Sequence, residues 1–218
     1  MLKAIVFDLD GTLVDSAPDI AWGINQMLAE YALPAQPVGV IEKLIGEGAS
    51  VLVTKLYAEL GVAVDAQRID ADTASYLAHY RLRPVADSTL YADAAEALPA
   101  FRNAGLRLGV CTNKNQDLAE VVLDRLGLGP SIEVVVGSDT TPHRKPHPAP
   151  LLHTLDLLGV AAEHAVFIGD TRIDRDCAAA AGVRCLIVDW GTGPSVDVPP
   201  ANRLRRFSDL LRDAVLHG

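Results

Sequence analysis

Hydrophobic and polar positions along the chain fall into two textures. Residues Ala4 to Phe7 form a short unbroken apolar run, the pattern of a strand buried on both faces. From Ser16 the period changes. Ile20, Ile24, Met27 with Leu28, and Tyr31 recur at helical spacing, with Pro18 and Asp19 suiting a first turn and Leu33-Pro34 a stop. Val38 to Ile45 predicts a short second helix closed by Gly46-Glu47-Gly48, and Ala49 to Leu60 a third, with Gly61 just past its end. Asp65 to Arg81 predicts a fourth, before Pro84. No strand pattern interrupts this block, so an all-helical segment breaks into a chain that opened as a sheet.

From about Asp87 the pattern alternates. Helices are expected over Asp93–Ala104, with Asp93 and Glu96 as a capping-box pair, and over Gln116–Leu126, Ala149–Leu158, Asp174–Ala181 and Ser208–Leu216. Strands are expected over Arg107–Thr112, Glu133–Val136, His164–Ile168 and Arg184–Val188. This alternation predicts an α/β fold: a doubly wound, parallel, five-stranded sheet of Rossmann-like type with helices on both faces. The first strand belongs to that sheet, so the helical block is a cap inserted after strand one. Residues 1–15 and 86–218 then form the core and 16–85 the cap, with hinges near Val14–Pro18 and Leu82–Asp87. A helical lid over the C-terminal edge of a sheet can exclude water and select substrates.

Composition narrows the function classes. At 218 residues, half of them hydrophobic, the chain can bury a full α/β core with an insertion. A formal net charge of −9 argues against a nucleic-acid or anionic-membrane surface. Three cysteines (Cys111, Cys177, Cys185) give neither a zinc spacing nor an even disulfide set and read as small core residues. With no basic leader and no apolar run of membrane-spanning length, the cytoplasm is the expected compartment. No coiled-coil seam or apolar patch is legible, which leaves monomer and dimer both open.

The chemistry-bearing residues sit at strand ends. Strand one runs into Asp8-Leu9-Asp10-Gly11-Thr12-Leu13-Val14-Asp15-Ser16, two acids where open α/β sheets keep their ligand crevice. Two carboxylates so close repel and call for a cation. Strand two ends in Cys111-Thr112-Asn113, Arg144-Lys145-Pro146-His147-Pro148 follows strand three, and strand four ends in Gly169-Asp170-Thr171-Arg172-Ile173-Asp174. Taken singly these are N-cap, loop and first-turn residues. In this order they resemble the four signatures of the haloacid dehalogenase-like hydrolase superfamily. Ser16-Ala17-Pro18-Asp19-Ile20, Ile45-Gly46-Glu47-Gly48-Ala49, Thr112-Asn113-Lys114 and Lys145-Pro146 look most like its phosphoglycolate phosphatases.

The resemblance implies a Mg²⁺-dependent phosphomonoester hydrolase. Asp8 would attack phosphorus and carry an aspartyl-phosphate, with Asp10 as acid and then base. The metal would be held by Asp8, the Asp10 backbone carbonyl and Asp170, with Asp174 behind them. Thr112, the Asn113 backbone N–H and Lys145 would bind the phosphoryl oxygens, Lys145 also offsetting the crowded Asp8, Asp10 and Asp170. The Gly46 and Gly48 turn would contact the substrate. Three departures bear on this: Thr89-Leu90-Tyr91-Ala92-Asp93 replaces a proline-glycine segment, Thr171 replaces serine, and Glu42 would repel an anion if it faced inward. A phosphatase for another metabolite, such as a sugar phosphate, shares every core residue. A dehalogenase would not need an acid at Asp10, and a non-catalytic phosphate-binding protein would show decayed positions. His143 and His147 read as loop residues, and Trp22 falls between the apolar positions of its helix, leaving packing and the cleft both open.

Overall fold

A computed structural model describes residues 1–211. Six strands form one parallel sheet: β1 (Ala4–Phe7), β4 (Arg107–Cys111), β5 (Val134–Val136), β6 (Ala165–Gly169), β7 (Arg184–Val188) and β8 (Arg203–Leu204), in the order β5-β4-β1-β6-β7-β8. All five pairings are parallel. The expected five strands are present. The sixth, β8, is a two-residue edge strand that pairs Ile187 with Arg203 and Val188 with Leu204. The last expected helix, Ser208–Leu216, runs past residue 211 and lies mostly outside the described residues.

β1 sits at the centre because it is apolar at every position and buried at every position. Its residues alternate between two cores. Ile5 and Phe7 join a cluster with Leu98 and Phe101 of α5 (Ala94–Asn103) and Val122 of α6 (Gln116–Arg125). Ala4 and Val6 join one with Leu151 and Leu155 of α7 (Ala149–Leu158) and Cys177 and Ala178 of α8 (Arg172–Ala181). With β4 on one side of β1 and β6 on the other, connections leave the central strand in both directions, and a crevice opens at its C-terminal end.

The helical block comprises α1 (Ala17–Ala29), α2 (Val38–Glu42), α3 (Ala49–Glu59) and α4 (Ala66–Leu82). Its own cluster, built from Ile24, Met27, Leu56, Tyr57, Tyr76 and Tyr80 among others, reaches the sheet domain at Leu118 of α6. The two crossings into and out of the block are stitched together. β2 (Val14–Asp15) and β3 (Thr89–Leu90) form a small antiparallel pair. Next to it, the buried Asp19 carboxylate accepts from the backbone N–H of Asp87 and Ser88 and from the Ser88 hydroxyl. The departing segment Thr89–Asp93 thus contributes half of this clasp.

One expected cap is absent. Asp93 adopts φ 59° and makes no side-chain bond to its own helix; its carboxylate instead accepts from the backbone N–H of Phe207 and Ser208. The capping box appears elsewhere, on α8, where Thr171 and Asp174 cap each other's backbone. No described helix is long and apolar enough to cross a membrane.

Asp72 is the polar centre of the helical block. It is fully buried and accepts from Tyr57 and Tyr31 hydroxyls and from Arg68 Nε, at 2.5, 2.8 and 2.5 Å. Burial opposes its ionisation, but these three donors outweigh it and hold the carboxyl below its ordinary range. Asp72→Ala leaves a buried tyrosine hydroxyl and a guanidinium without their acceptor, and we expect it to cost about 3 kcal/mol. A urea midpoint unchanged from wild type would contradict this.

Candidate active site

The site begins where β1 stops. The Asp8 N–H still donates to Ile168 of β6, so its side chain emerges just past the strand end. The Thr112 N–H donates to Val136 in the same way, one residue beyond β4. Asp8, Asp10, Thr112 and Asn113 line one cavity with Gly46 and Gly48, which come from the loop between α2 and α3. Both glycines have positive φ, 116° and 89°. A Cβ on Gly48 would lie a tight 3.2 Å from the Asn113 carbonyl oxygen, and the positive φ there also favours glycine, so a side chain would strain the approach of that loop to the core. Asn113 fastens the approach: its amide donates to the Gly46 and Lys145 carbonyls and accepts from the Lys145 N–H.

Lys145 is 2% exposed and bridges two acids, with Nζ 2.9 Å from Asp8 Oδ1 and 2.7 Å from Asp174 Oδ1. The expectation that it also offsets Asp10 is not met. Asp10 turns the other way, accepting from Lys114 Nζ at 3.0 and 3.1 Å and from the Ser16 hydroxyl at 2.6 Å. Lys114, quoted above only as part of a motif, is the main residue that spacing missed. Two basic positions after different strands, Lys114 and Lys145, cannot say from sequence alone which acid each will take. The partners of Asp170 were missed too: the Thr192 hydroxyl and N–H and the Thr12 hydroxyl donate to it. Thr192 follows β7, and its place at the same sheet edge was the available signal.

Asp8, Asp170 and Asp174 form a buried triad whose oxygens lie within 4.8 Å of one another. The Asp10 side chain is not part of it. Burial first, then repulsion from Asp174 and Asp8, pushes the Asp170 carboxyl up to about 8. Burial likewise raises Asp8 to about 6, against the attraction of Lys145. One lysine cannot neutralise three acids. Asp8 Oδ1, though close to Lys145, takes no aligned hydrogen bond and keeps lone pairs free. A hard divalent cation is the group this donor set fits. Gly11 makes room beside it: a Cβ there would fall 2.3 Å from Asp170 Oδ2.

The raised values fix a pH dependence. A carboxyl whose folded pKa exceeds its unfolded value binds more protons when folded, so its contribution is present at low pH and lost as pH rises. In EDTA, stability should therefore decline between about pH 4, the ordinary aspartate value, and pH 8, through Asp8 and then Asp170. A divalent cation should raise the melting temperature more at pH 8 than at pH 5. Equal shifts at both would refute the triad as a cation site.

Of the other candidates, Trp22 lies against the Arg83 guanidinium and His79 and does not line the cavity. His143 and His147 stack on each other on an exposed loop, with ring centroids 4.2 Å apart. Glu42 lines a second, smaller cavity with Asp15, Tyr91 and Asp170, not the one that holds Thr112 and Lys114.

The sequence model of the haloacid dehalogenase-like hydrolases matches residues 5–188. The chain belongs to that family. It is 42% identical to the phosphoglycolate phosphatase of Rhodospirillum rubrum over 195 residues, covering 88% of this chain and 81% of the relative. The enzyme of that name from Pectobacterium atrosepticum is 34% identical over 213 residues, 96% and 91% of the two chains. The crystal structure of a predicted phosphoglycolate phosphatase from Haemophilus somnus superposes with a TM-score of 0.88 at 28% identity, covering 97% of each chain. As a hydrolase of this family with phosphatase relatives, the protein is a phosphatase. Family members of this kind generally use a metal ion, in keeping with the buried acid triad.

Proposed function

We propose that this phosphatase hydrolyses 2-phosphoglycolate in the cytoplasm, with Mg²⁺ as its metal and Asp8 as its nucleophile. The observation that carries the reading is the cavity: Asp8, Asp10, Thr112 and Asn113 line a space of about 40 Å³, room for a few waters, together with Gly46 and Gly48. A space so small suits a short phosphomonoester. The two relatives at 42% and 34% identity carry that substrate in their names. Three free cysteines suit a reducing compartment.

Phosphate monoesters are among the slowest substrates to hydrolyse unaided, so nucleophile, proton donor and charge stabilisation must act together. The Asp8 carboxylate attacks phosphorus, forming the Asp8–phosphorus bond as the bond to the glycolate oxygen breaks. Asp10, beside it, gives that oxygen a proton and later takes one from the water that hydrolyses the acyl phosphate. Thr112, the Asn113 N–H and Lys145 hold the phosphoryl oxygens as charge shifts. Asp8, the Asp10 carbonyl and Asp170, with Asp174 behind, would hold the Mg²⁺, which when bound would supply charge neutralisation at the phosphoryl group. Residues 16–85 act as the lid and residues 1–15 and 86–218 as the catalytic core; the β2–β3 pair and Asp19 form the hinge.

The test is phosphate release from a panel of small phosphomonoesters, including sugar phosphates, with Mg²⁺ and with EDTA. Preference for 2-phosphoglycolate, lost in EDTA, is the expected result. Metal-dependent release that favours a sugar phosphate would retain the mechanism and overturn the substrate.

A further inference from the structure

Lys114 is a buried cation, its side chain 6% exposed, that the reaction outlined above leaves without a task. Among the described residues it is the only cationic side chain on the wall of the cavity that holds Asp8 and Thr112. Its Nζ donates to both oxygens of Asp10 and lies 4.5 Å from the centre of the Tyr80 ring. Past it the wall is apolar, formed by Leu52, Tyr76 and Leu118. A lysine buried there is costly unless paired. Holding Asp10 in place does not require it, because the Ser16 hydroxyl already bonds the same carboxylate at 2.6 Å.

We propose that Lys114 is the specificity-determining residue, binding the substrate's second anionic group, a carboxylate, while the phosphoryl end lies against Asp8 and Thr112. The inference rests on the 2-phosphoglycolate reading and says how that substrate is recognised. Thr112 and Lys114 are two residues apart on one loop, and the Lys114 N–H donates to the Thr112 hydroxyl at 3.2 Å. Nζ sits on Asp10, which lines the same small cavity as Asp8 and Thr112, so the phosphoryl and carboxylate contacts fall within one short space that suits a two-carbon acid. On binding, the carboxylate takes over a hydrogen bond that Nζ gives to Asp10, and Ser16 keeps Asp10 located. An uncharged end of equal length finds only the tyrosine and leucine wall and leaves Nζ on Asp10.

The experiment compares kcat/KM for 2-phosphoglycolate and 2-hydroxyethyl phosphate, which has the same length and a neutral end, in wild type, Lys114→Met and Lys114→Gln. Wild type should prefer the acid. In both variants the preference should fall roughly 100-fold, the scale of a lost buried charge-assisted hydrogen bond, with the acid's KM rising most. Lys114→Arg should restore part of it. Glycolate should inhibit wild-type hydrolysis of 2-hydroxyethyl phosphate competitively and inhibit the folded Met or Gln variant far less. If both substrates lose equally, Lys114 only positions Asp10 and the inference is overturned. If the variants keep the preference, it is overturned as well, while the substrate reading stands. A wild type indifferent to the carboxylate overturns both.

Discussion

Asp8→Asn is expected to lower phosphate release roughly 10⁶-fold, the scale on which removal of a nucleophile is felt in other hydrolases. The amide matches the carboxylate in shape and cannot form the acyl phosphate. The cavity walls, the Asn113 clamp and the Lys145–Asp174 pair remain, so the loss belongs to chemistry and not to binding. The same substitution should leave the metal-free fold as stable as wild type or more so above neutral pH. Asp8 is 4% exposed, and its carboxyl is raised to about 6 chiefly by burial, with Asp174 adding repulsion. A neutral side chain removes that cost, although it also gives up the attraction to Lys145. Phosphate release and a melting curve in EDTA at pH 8, taken on one preparation, check both halves. Activity within tenfold of wild type would remove Asp8 from the nucleophile role. A large drop in melting temperature would mean that the Lys145 pairing outweighs the desolvation of the acid.

How far the sequence anticipates this molecule depends on how local each determinant is. The bounds of β1, α7 and β7 agree with periodicity to the residue, because each is a buried run or amphipathic turn closed by its own punctuation. β8 escapes because two residues have no period, and Arg203–Leu204 become a strand only by pairing with β7. The β2–β3 clasp joins residues about 75 apart in the chain for the same reason. Asp93 shows the opposite error: the capping-box spacing is present, yet its carboxylate is claimed by the N–H groups of Phe207 and Ser208, more than a hundred residues away. At the site, the acids were legible because parallel topology gathers strand C-termini at one edge. The assignment of Lys145 to Asp8 and Asp174, and of Lys114 to Asp10, was not legible, since both are choices made in three dimensions.

That assignment makes Lys145→Met the substitution with the largest expected effect on the fold. Lys145 is 2% exposed, and its ammonium is the only cation near Asp8 and Asp174 among the described contacts. Burial alone would lower its pKa; the attraction of Asp174 and then Asp8 outweighs that and holds it well above the ordinary lysine value. Its contribution is therefore fully present at neutral pH and lost only in strong alkali. Methionine fills similar volume but leaves the acids uncompensated, and removing one partner of a buried ion pair costs about 3–5 kcal/mol. That is a large share of a domain's total stability of about 5–15 kcal/mol. The deficit should shrink as pH falls, because protonation of Asp8 removes one of the charges that Lys145 opposed. It should also shrink in Lys145→Met/Asp174→Asn, where one acid becomes neutral. Activity should not return in either case, since the lysine proposed to hold the phosphoryl oxygens is gone. Urea unfolding of the single and double variants at pH 5 and pH 8 checks the account. A deficit that is the same at both pH values, and unrelieved by Asp174→Asn, would show that Lys145 stabilises the fold by packing and not by charge.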